Sequence, residues 1–189
     1  MTLGSTVWDI GANVGIYTRK FAETVGASGK VVAFEPSPTT FLTLQKNTSD
    51  LSNVTLVNIA LADFIGASEF HSAGENDPTA GMSQQRTDAK SLSVEVTKAD
   101  QFLEIRPELY PHAMKIDVEG FEIDVLRGMK AILGSPDLKA IFIEVHFTML
   151  SRRGKGNAPS EIRDLLIESG FAVNWADASH IYALRKIES

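Results

Sequence analysis

The chain has 189 residues and a mass of 20.6 kDa, a length that predicts one domain spanning 1–189 rather than two independent cores. With 43% hydrophobic and 22% charged residues it has an ordinary globular composition, which excludes a disordered chain. Twenty-four Asp and Glu against eighteen Lys and Arg give a net charge of -6, which offers a polyphosphate no electrostatic footprint, so nucleic acid is not an expected partner.

The absence of cysteine excludes disulfides, thiolate metal sites and cysteine nucleophiles, and a reducing, cytoplasmic location is the default expectation. The longest strongly apolar stretch, 140–145, is interrupted by Glu144 and is far too short to span a bilayer, so no membrane span is expected. The first residues, MTLGSTVWDIGANVG, lack the basic and apolar regions of a signal peptide.

Strands and helices alternate along the chain. Residues 6–10 read as a first strand, followed by a glycine-containing loop and a helix over 14–25 with Ile16, Phe21 and Val25 at helical spacing. A second strand over 30–34 leads to a helix capped by Ser37, with Pro38 in its first turn and Phe41, Leu42 and Leu44 toward the sheet. A third strand covers 54–59, a short helix 99–104 and a fourth strand 112–118. Phe121, Val125, Met129 and Ile132 then form the apolar stripe of a helix. A fifth strand covers 139–145, a helix opens at Asn157-Ala158-Pro159 and stops at Gly170, and 171–175 with 180–184 form a closing antiparallel hairpin.

This order predicts an α/β fold with a central, mostly parallel seven-stranded sheet, helices on both faces and ligands at the carboxyl ends of the strands. Two segments break the rhythm. Alternating pieces within 66–97 predict an added β-hairpin with a mobile loop, and Ser151-Arg152-Arg153-Gly154-Lys155-Gly156 reads as a basic, flexible loop after the fifth strand.

Asp9-Ile10-Gly11-Ala12-Asn13-Val14-Gly15 sits where the first strand hands over to the first helix, and its glycines let backbone approach a ligand. A dinucleotide fingerprint would place glycine where Asn13 stands. Asp-x-Gly-x-Asn-x-Gly instead resembles motif I of class I S-adenosylmethionine-dependent methyltransferases. Glu35, ending the second strand, suits the two hydroxyls of an adenosyl ribose, whether the cofactor is S-adenosylmethionine or NAD. Asn58 to Asp63 place small and acidic groups after the third strand, where an adenine would lie in this architecture.

Strand alternation puts Lys115, Asp117 and Glu119 on one side of the fourth strand, where burial together is costly unless they pair with each other or with a ligand. Glu144 and His146 likewise share a side of the fifth. His71, His112 and His180 have no comparable setting.

Taken together, Asp9 to Gly15, Phe34-Glu35-Pro36, Ala60 to Asp63, the Lys115 to Gly120 run with Glu122 and Gly128, and Ile143-Glu144-Val145-His146 resemble the FkbM family of methyltransferases. Gly81-Met82-Ser83 falls where that family carries a Gly- and Ser-containing segment. The resemblance implies a Rossmann-like class I methyltransferase fold and O-methylation of a small molecule of sugar, polyketide or lipid type. It also implies S-adenosylmethionine held by Asp9, Gly11, Ala12, Asn13, Gly15, Glu35, Pro36, Ala60, Asp63, Asp117 and Glu119. Family members carry more chain before the first strand, so this sequence reads as a shortened chain, a minimal enzyme or a domain whose substrate cover comes from elsewhere.

For the chemistry, His146 is the expected proton acceptor for a hydroxyl, with Glu144 or Asp117 orienting its ring and Lys115 neutralising carboxylates or meeting an anionic acceptor. No metal is assigned, although Asp117, Glu119, Glu144 and His146 are also a possible divalent-cation set. A nicotinamide-dependent oxidoreductase and a catalytically silent cofactor-binding domain are the rival readings. A homo-oligomer is possible.

Overall fold

The structure is a computed structural model that describes residues 1–72 and 90–186. The Gly81-Met82-Ser83 segment and the expected hairpin loop lie outside the described residues. In chain order the elements are β1 (Thr6–Ile10), α1 (Ile16–Val25), β2 (Lys30–Phe34), α2 (Pro38–Asn47), β3 (Val54–Val57), β4 (Ala60–Leu61), β5 (Gly66–Ser72) and β6 (Lys90–Thr97). They continue with α3 (Ala99–Ile105), a 3-10 turn at Pro107–Leu109, β7 (Ala113–Ile116), α4 (Glu122–Arg127), α5 (Lys130–Gly134), β8 (Ala140–Glu144), α6 (Phe147–Arg152), α7 (Ala158–Glu168), β9 (Phe171–Trp175) and β10 (His180–Arg185).

Seven strands form one sheet in the order β3-β2-β1-β7-β8-β10-β9. All pairings are parallel except those of β10, which runs antiparallel to β8 and β9. The chain winds outward from β1 through β2 to β3, then returns to β7 on the other side of β1. That reversal is a topological switch point, where the crossovers diverge and open a crevice at the carboxyl ends of β1 and β7. The expected hairpin is present as β5 against β6, and with β4 it makes a separate three-stranded sheet. No described helix is long and apolar enough to cross a membrane.

One face of the main sheet buries Trp8, Phe34, Ile116, Ile143 and Ile181 against α3, α4, α5 and α7. Trp8 anchors it: its ring packs 4.9 Å from Phe34 and 5.6 Å from Phe102, and its indole N–H donates to Leu109 O at 2.8 Å. The opposite face carries α1 and α2, packed through Ala22, Val25 and Leu44 on Val7, Val31 and Ala33. Farther along the same face, Phe142 and Tyr182 lie in register with Asp9 and Lys115 and stand exposed, as does Leu184. The second helical layer therefore covers the β1 to β3 half.

Three expectations about packing are corrected. In α1 the buried positions are Thr18, Ala22 and Val25, while Ile16 is 62% exposed. Asp9 draws the Thr18 hydroxyl inward at 2.6 Å, and Ile16, two residues away, is carried about 200° round the helix. In α2, Leu44 is buried and Leu42, also two residues off, is exposed. The single helix expected across Phe121 to Ile132 is two short ones. All four stripe residues are buried, but the helix is interrupted at Gly128 between α4 and α5, where close packing on Ala62 leaves a Cβ only 2.0 Å from its carbonyl oxygen.

Candidate active site

The loop after β1 is wedged between two strand tips. The Gly11 and Ala12 N–H groups donate to Phe34 O at 3.0 and 2.9 Å, closing the loop on β2, while Asp117 N–H donates to Ile10 O at 3.0 Å on the β7 side. Gly11 takes φ +80°, and a Cβ there would stand 1.8 Å from Asp117 O; Gly15, at φ +93°, would strike Leu44 at 2.7 Å. At both glycines neighbouring chain occupies the space that a side chain would take. Asn13 also adopts a positive φ, +50°. Its N–H donates to Glu35 Oε2 at 3.0 Å, while Glu35 Oε1 accepts from Ser37 N–H at 2.9 Å. The first loop and the acidic tip of β2 thus share one hydrogen-bonded wall, with Asn58 Nδ2 bracing it from the Glu35 and Pro36 carbonyls.

Beneath the loop, Lys115 is 4% exposed. Its Nζ lies 3.1 Å from Asp117 Oδ2, 3.6 Å from Asp9 Oδ1 and 3.4 Å from Gly11 O, and 5.0 Å from the centre of the Tyr17 ring. Of the two expected roles for Lys115, neutralising carboxylates fits this placement. Asp9, fully buried, accepts from Thr18 through Oδ2, while Oδ1 has no hydrogen-bond partner among the described residues.

The tips of β7 and β8 meet around His146. β7 ends at Ile116, so Glu119 is not a strand residue, contrary to expectation; it turns back at φ +51°. That turn still brings its Oε2 to 3.4 Å from His146 Nε2, with Asp117 Oδ1 at 3.6 Å and Glu144 Oε1 at 3.9 Å. On the other side of the ring, Nδ1 lies 2.8 Å from Oε1 of the fully buried Glu122, which also accepts the Gly120 N–H at 2.8 Å. Glu122 and Glu144 therefore flank the imidazole from α4 and β8.

Protonation follows from burial and charge. Burial pushes the Glu35 carboxyl up to about 7, against the lowering pull of the Ser37 and Asn13 N–H groups. Burial likewise raises Asp9, offset in part by Lys115 and Thr18, and raises Glu119, offset by His146. His146 moves to about 9: burial alone would lower it, but the Glu122 hydrogen bond and the charges of Glu119, Glu122 and Asp117 outweigh that. At neutral pH the ring as it stands holds a proton, so the expected free base needs that proton displaced first.

Of the expected residues, Asp9, Gly11, Lys115, Asp117, Glu119, Glu144 and His146 are joined by direct contacts, and Asn13 joins Glu35. Ala12 is buried on Ala33 and Leu44 beneath the loop, and Pro36 follows Glu35 at its edge. Ala60 sits apart, in β4, packed with Ala62, Val94, Val96 and Phe121 and touching the site region through Val118. Asp63 makes no hydrogen bond or ion pair to the others among the described residues.

Sequence reading gave Glu122 no role beyond the family resemblance, and its dismissal of His180 is corrected. His180 pairs in register with Glu144, its Nε2 3.4 Å from Glu144 Oε2 and its Nδ1 2.8 Å from Asp177 Oδ1. A strand-pairing argument could have found His180; Glu122 is met by His146 across 24 residues and carries no local signal. The basic 151–156 segment is not a free loop. Arg152 ends α6, Arg153 stacks over Phe121 at 3.3 Å and pairs with Asp124 at 2.7 Å, and Lys155 pairs with the same carboxylate.

Comparison with known proteins agrees with this fold. Residues 9–173 match the Methyltransferase FkbM domain. The hexuronic acid methyltransferase AglP of Haloferax volcanii is 28% identical over 164 residues, covering 86% of this chain and 62% of that protein. Methyltransferase 1 of Beauveria bassiana is 30% identical over 154 residues, covering 66% of this chain and 58% of that protein. The chain thus spans about three-fifths of the length of these curated relatives. In fold it is similar to the FkbM methyltransferase of Methylobacillus flagellatus, with a TM-score of 0.62 at 15% identity, covering 95% of this chain and 43% of that one. Aeropyrum pernix fibrillarin, solved with S-adenosyl-L-methionine bound, aligns with a TM-score of 0.58 at 12% identity, covering 97% of this chain and 67% of the other. With the family match running from the first glycine loop through the His146 tip and into β9, the chain belongs to the FkbM methyltransferase family.

Proposed function

We propose that this protein binds S-adenosylmethionine and transfers its methyl group to an oxygen of a small-molecule acceptor, of the sugar type among the sugar, polyketide and lipid classes considered. One observation carries the reading: Glu35 at the tip of β2 holds the N–H of Asn13 in the β1 loop, so the two cofactor-facing segments form one surface at the switch point. The residues present fit the cofactor. Each oxygen of Glu35 accepts one backbone N–H and keeps a further lone-pair direction for a ribose hydroxyl. The acidic cluster of Asp9, Asp117 and Glu119 complements a cationic ligand. The same loop is a poor cradle for a nicotinamide dinucleotide, because the N–H groups of Gly11, Ala12, Asn13 and Gly15 are all spent inside the protein.

When bound, S-adenosylmethionine supplies an electrophilic methyl carbon on a cationic sulfur. The chain's own contribution is to hold and orient: Asp9, Gly11, Ala12, Asn13, Gly15, Glu35 and Pro36 on the cofactor side, with Ala60 and Asp63 toward the adenine, and Asp117 and Glu119 between the two. Such positioning is worth ~7–11 kcal/mol in favourable cases, more than a general base supplies. Lys115 keeps Asp9 and Asp117 together, and His146 with Glu144 receives the acceptor's proton once the ring has lost the one it holds at neutral pH. The sugar assignment follows the Haloferax relative, whose name specifies a hexuronic acid.

Calorimetric titration of S-adenosylmethionine, S-adenosylhomocysteine and NAD tests the reading. Binding of the first two without NAD supports it, and NAD alone refutes it. Cofactor binding with no turnover over a panel of sugar, polyketide and lipid hydroxyl acceptors would mark a silent binding domain.

A further inference from the structure

The groups around His146 are spaced too widely for hydrogen bonds and closely enough for a shared ion. Nε2 stands 3.4, 3.6 and 3.9 Å from oxygens of Glu119, Asp117 and Glu144, whereas N–H···O bonds run at ~2.7–3.2 Å. A divalent ion bonded at ~2.1 Å to each ligand would separate neighbouring ligand atoms by ~3.0–3.4 Å. One ligand atom each from Asp117, Glu119 and His146 lies within 4.8 Å of the others.

A second observation is independent of that spacing. Glu122 is fully buried, its Oε1 grips His146 Nδ1, and its Oε2 has no hydrogen-bond partner among the described residues. A carboxylate on Nδ1 fixes the ring so that Nε2 faces the other carboxylates, the arrangement that orients histidine toward a metal, and a cation bound there would displace the proton that Nε2 carries. Charge points the same way: Asp9, Asp117, Glu119, Glu122 and Glu144 crowd one lysine and two imidazoles, and the second of these, His180, reaches only Glu144 among them.

We propose that Asp117, Glu119 and His146 bind one divalent cation of the Mn2+ or Mg2+ type, with Glu122 as the positioning residue behind the histidine. Two carboxylates and one imidazole favour a hard ion that accepts nitrogen, and three protein ligands leave positions open for water and for an acceptor oxygen. Coordination of the acceptor rests on the methyl-transfer reading and, with Nε2 on the ion and Nδ1 on Glu122, leaves the acceptor's proton to Glu144 rather than to His146; the cation site itself does not rest on that reading.

Mn2+ alone, titrated into the full chain at pH 7.5 and followed by calorimetry and by loss of the free-ion electron paramagnetic resonance signal, tests the site. One ion per chain is expected, displaced by excess Mg2+. Glu119→Gln, at a partly exposed turn residue, and His146→Gln should each weaken binding at least tenfold. Glu122→Gln should weaken it ~10–100-fold and alter the spectrum of the bound ion, which loosened packing alone would not do. Thermal unfolding without metal checks that each variant folds. Absence of saturable Mn2+ binding, binding that survives both ligand substitutions, or binding of Zn2+ alone overturns the proposal. S-adenosylhomocysteine titrated into the same samples separates the two readings. Mn2+ bound without cofactor leaves the cation site standing and removes methyl transfer; cofactor bound without Mn2+ does the reverse.

Discussion

Replacing Glu35 by Gln should change stability and cofactor affinity in ways that depend on pH. In the folded protein burial raises this carboxyl from 4.5 to about 7, with the Ser37 and Asn13 N–H groups opposing the rise. A raised acid is protonated when folded and ionised when unfolded over the interval between those values. Its contribution to stability is therefore fully present below pH 4.5 and is lost as pH climbs through about 7. At ~1.36 kcal/mol per tenfold change in proton affinity, the loss comes to ~3 kcal/mol. Gln has no such dependence, but its amide nitrogen cannot accept one of the two backbone N–H bonds, a constant cost of ~1 kcal/mol. The wild type should thus be the more stable protein near pH 4.5 by ~1 kcal/mol and the less stable near pH 8 by ~2 kcal/mol. Urea unfolding of both proteins across this range reads the difference, and titrations common to both cancel. A difference that stays flat with pH refutes the buried, raised carboxyl. Calorimetry at pH 8 should show S-adenosylhomocysteine bound ~10–150-fold more weakly by the variant, the equivalent of one charge-assisted hydrogen bond of ~1.5–3 kcal/mol. Unchanged affinity would refute the ribose role.

Gly11→Ala should cost more than ~3 kcal/mol in urea unfolding, because it joins a positive φ to a Cβ placed 1.8 Å from Asp117 O, whereas Gly134→Ala, with open space and ordinary φ, should stabilise by ~0.5–1 kcal/mol. Lys115→Met strands the buried Asp9 and should destabilise by ~3–5 kcal/mol; adding Asp9→Asn should recover part of that loss in a double-mutant cycle, and strict additivity would dismiss the pair. Asp124→Asn weakens the anchor of Arg153 and Lys155, at ~1–3 kcal/mol, and trypsin should then cut at Arg152, Arg153 or Lys155 faster than in the wild type.

The order of strands and helices was legible because it rests on local periodicity: apolar runs such as 30–34 and 140–144, the Ser37-Pro38 cap and the stripe through Phe121 and Ile132 need no knowledge of distant chain. The carboxyl-end location of the site followed, since a switch point is a property of strand order. Periodicity alone did not give the phase of a helix where two apolar residues sit two apart, as with Leu42 and Leu44.

What the amino-acid sequence determined by itself was the kit of parts: alternating elements, a glycine-bearing first loop, and acidic tips with one histidine among them. Only the tertiary structure decided which parts touch. Lys115 reaches Asp9 across 106 residues, Glu122 takes Nδ1 of His146 across 24, and Gly11 proves necessary because Asp117 O fills the space of its missing side chain. Such contacts depend on the register of nonadjacent strands and on the turn of Glu119 to φ +51°, neither of which has a signature in neighbouring residues.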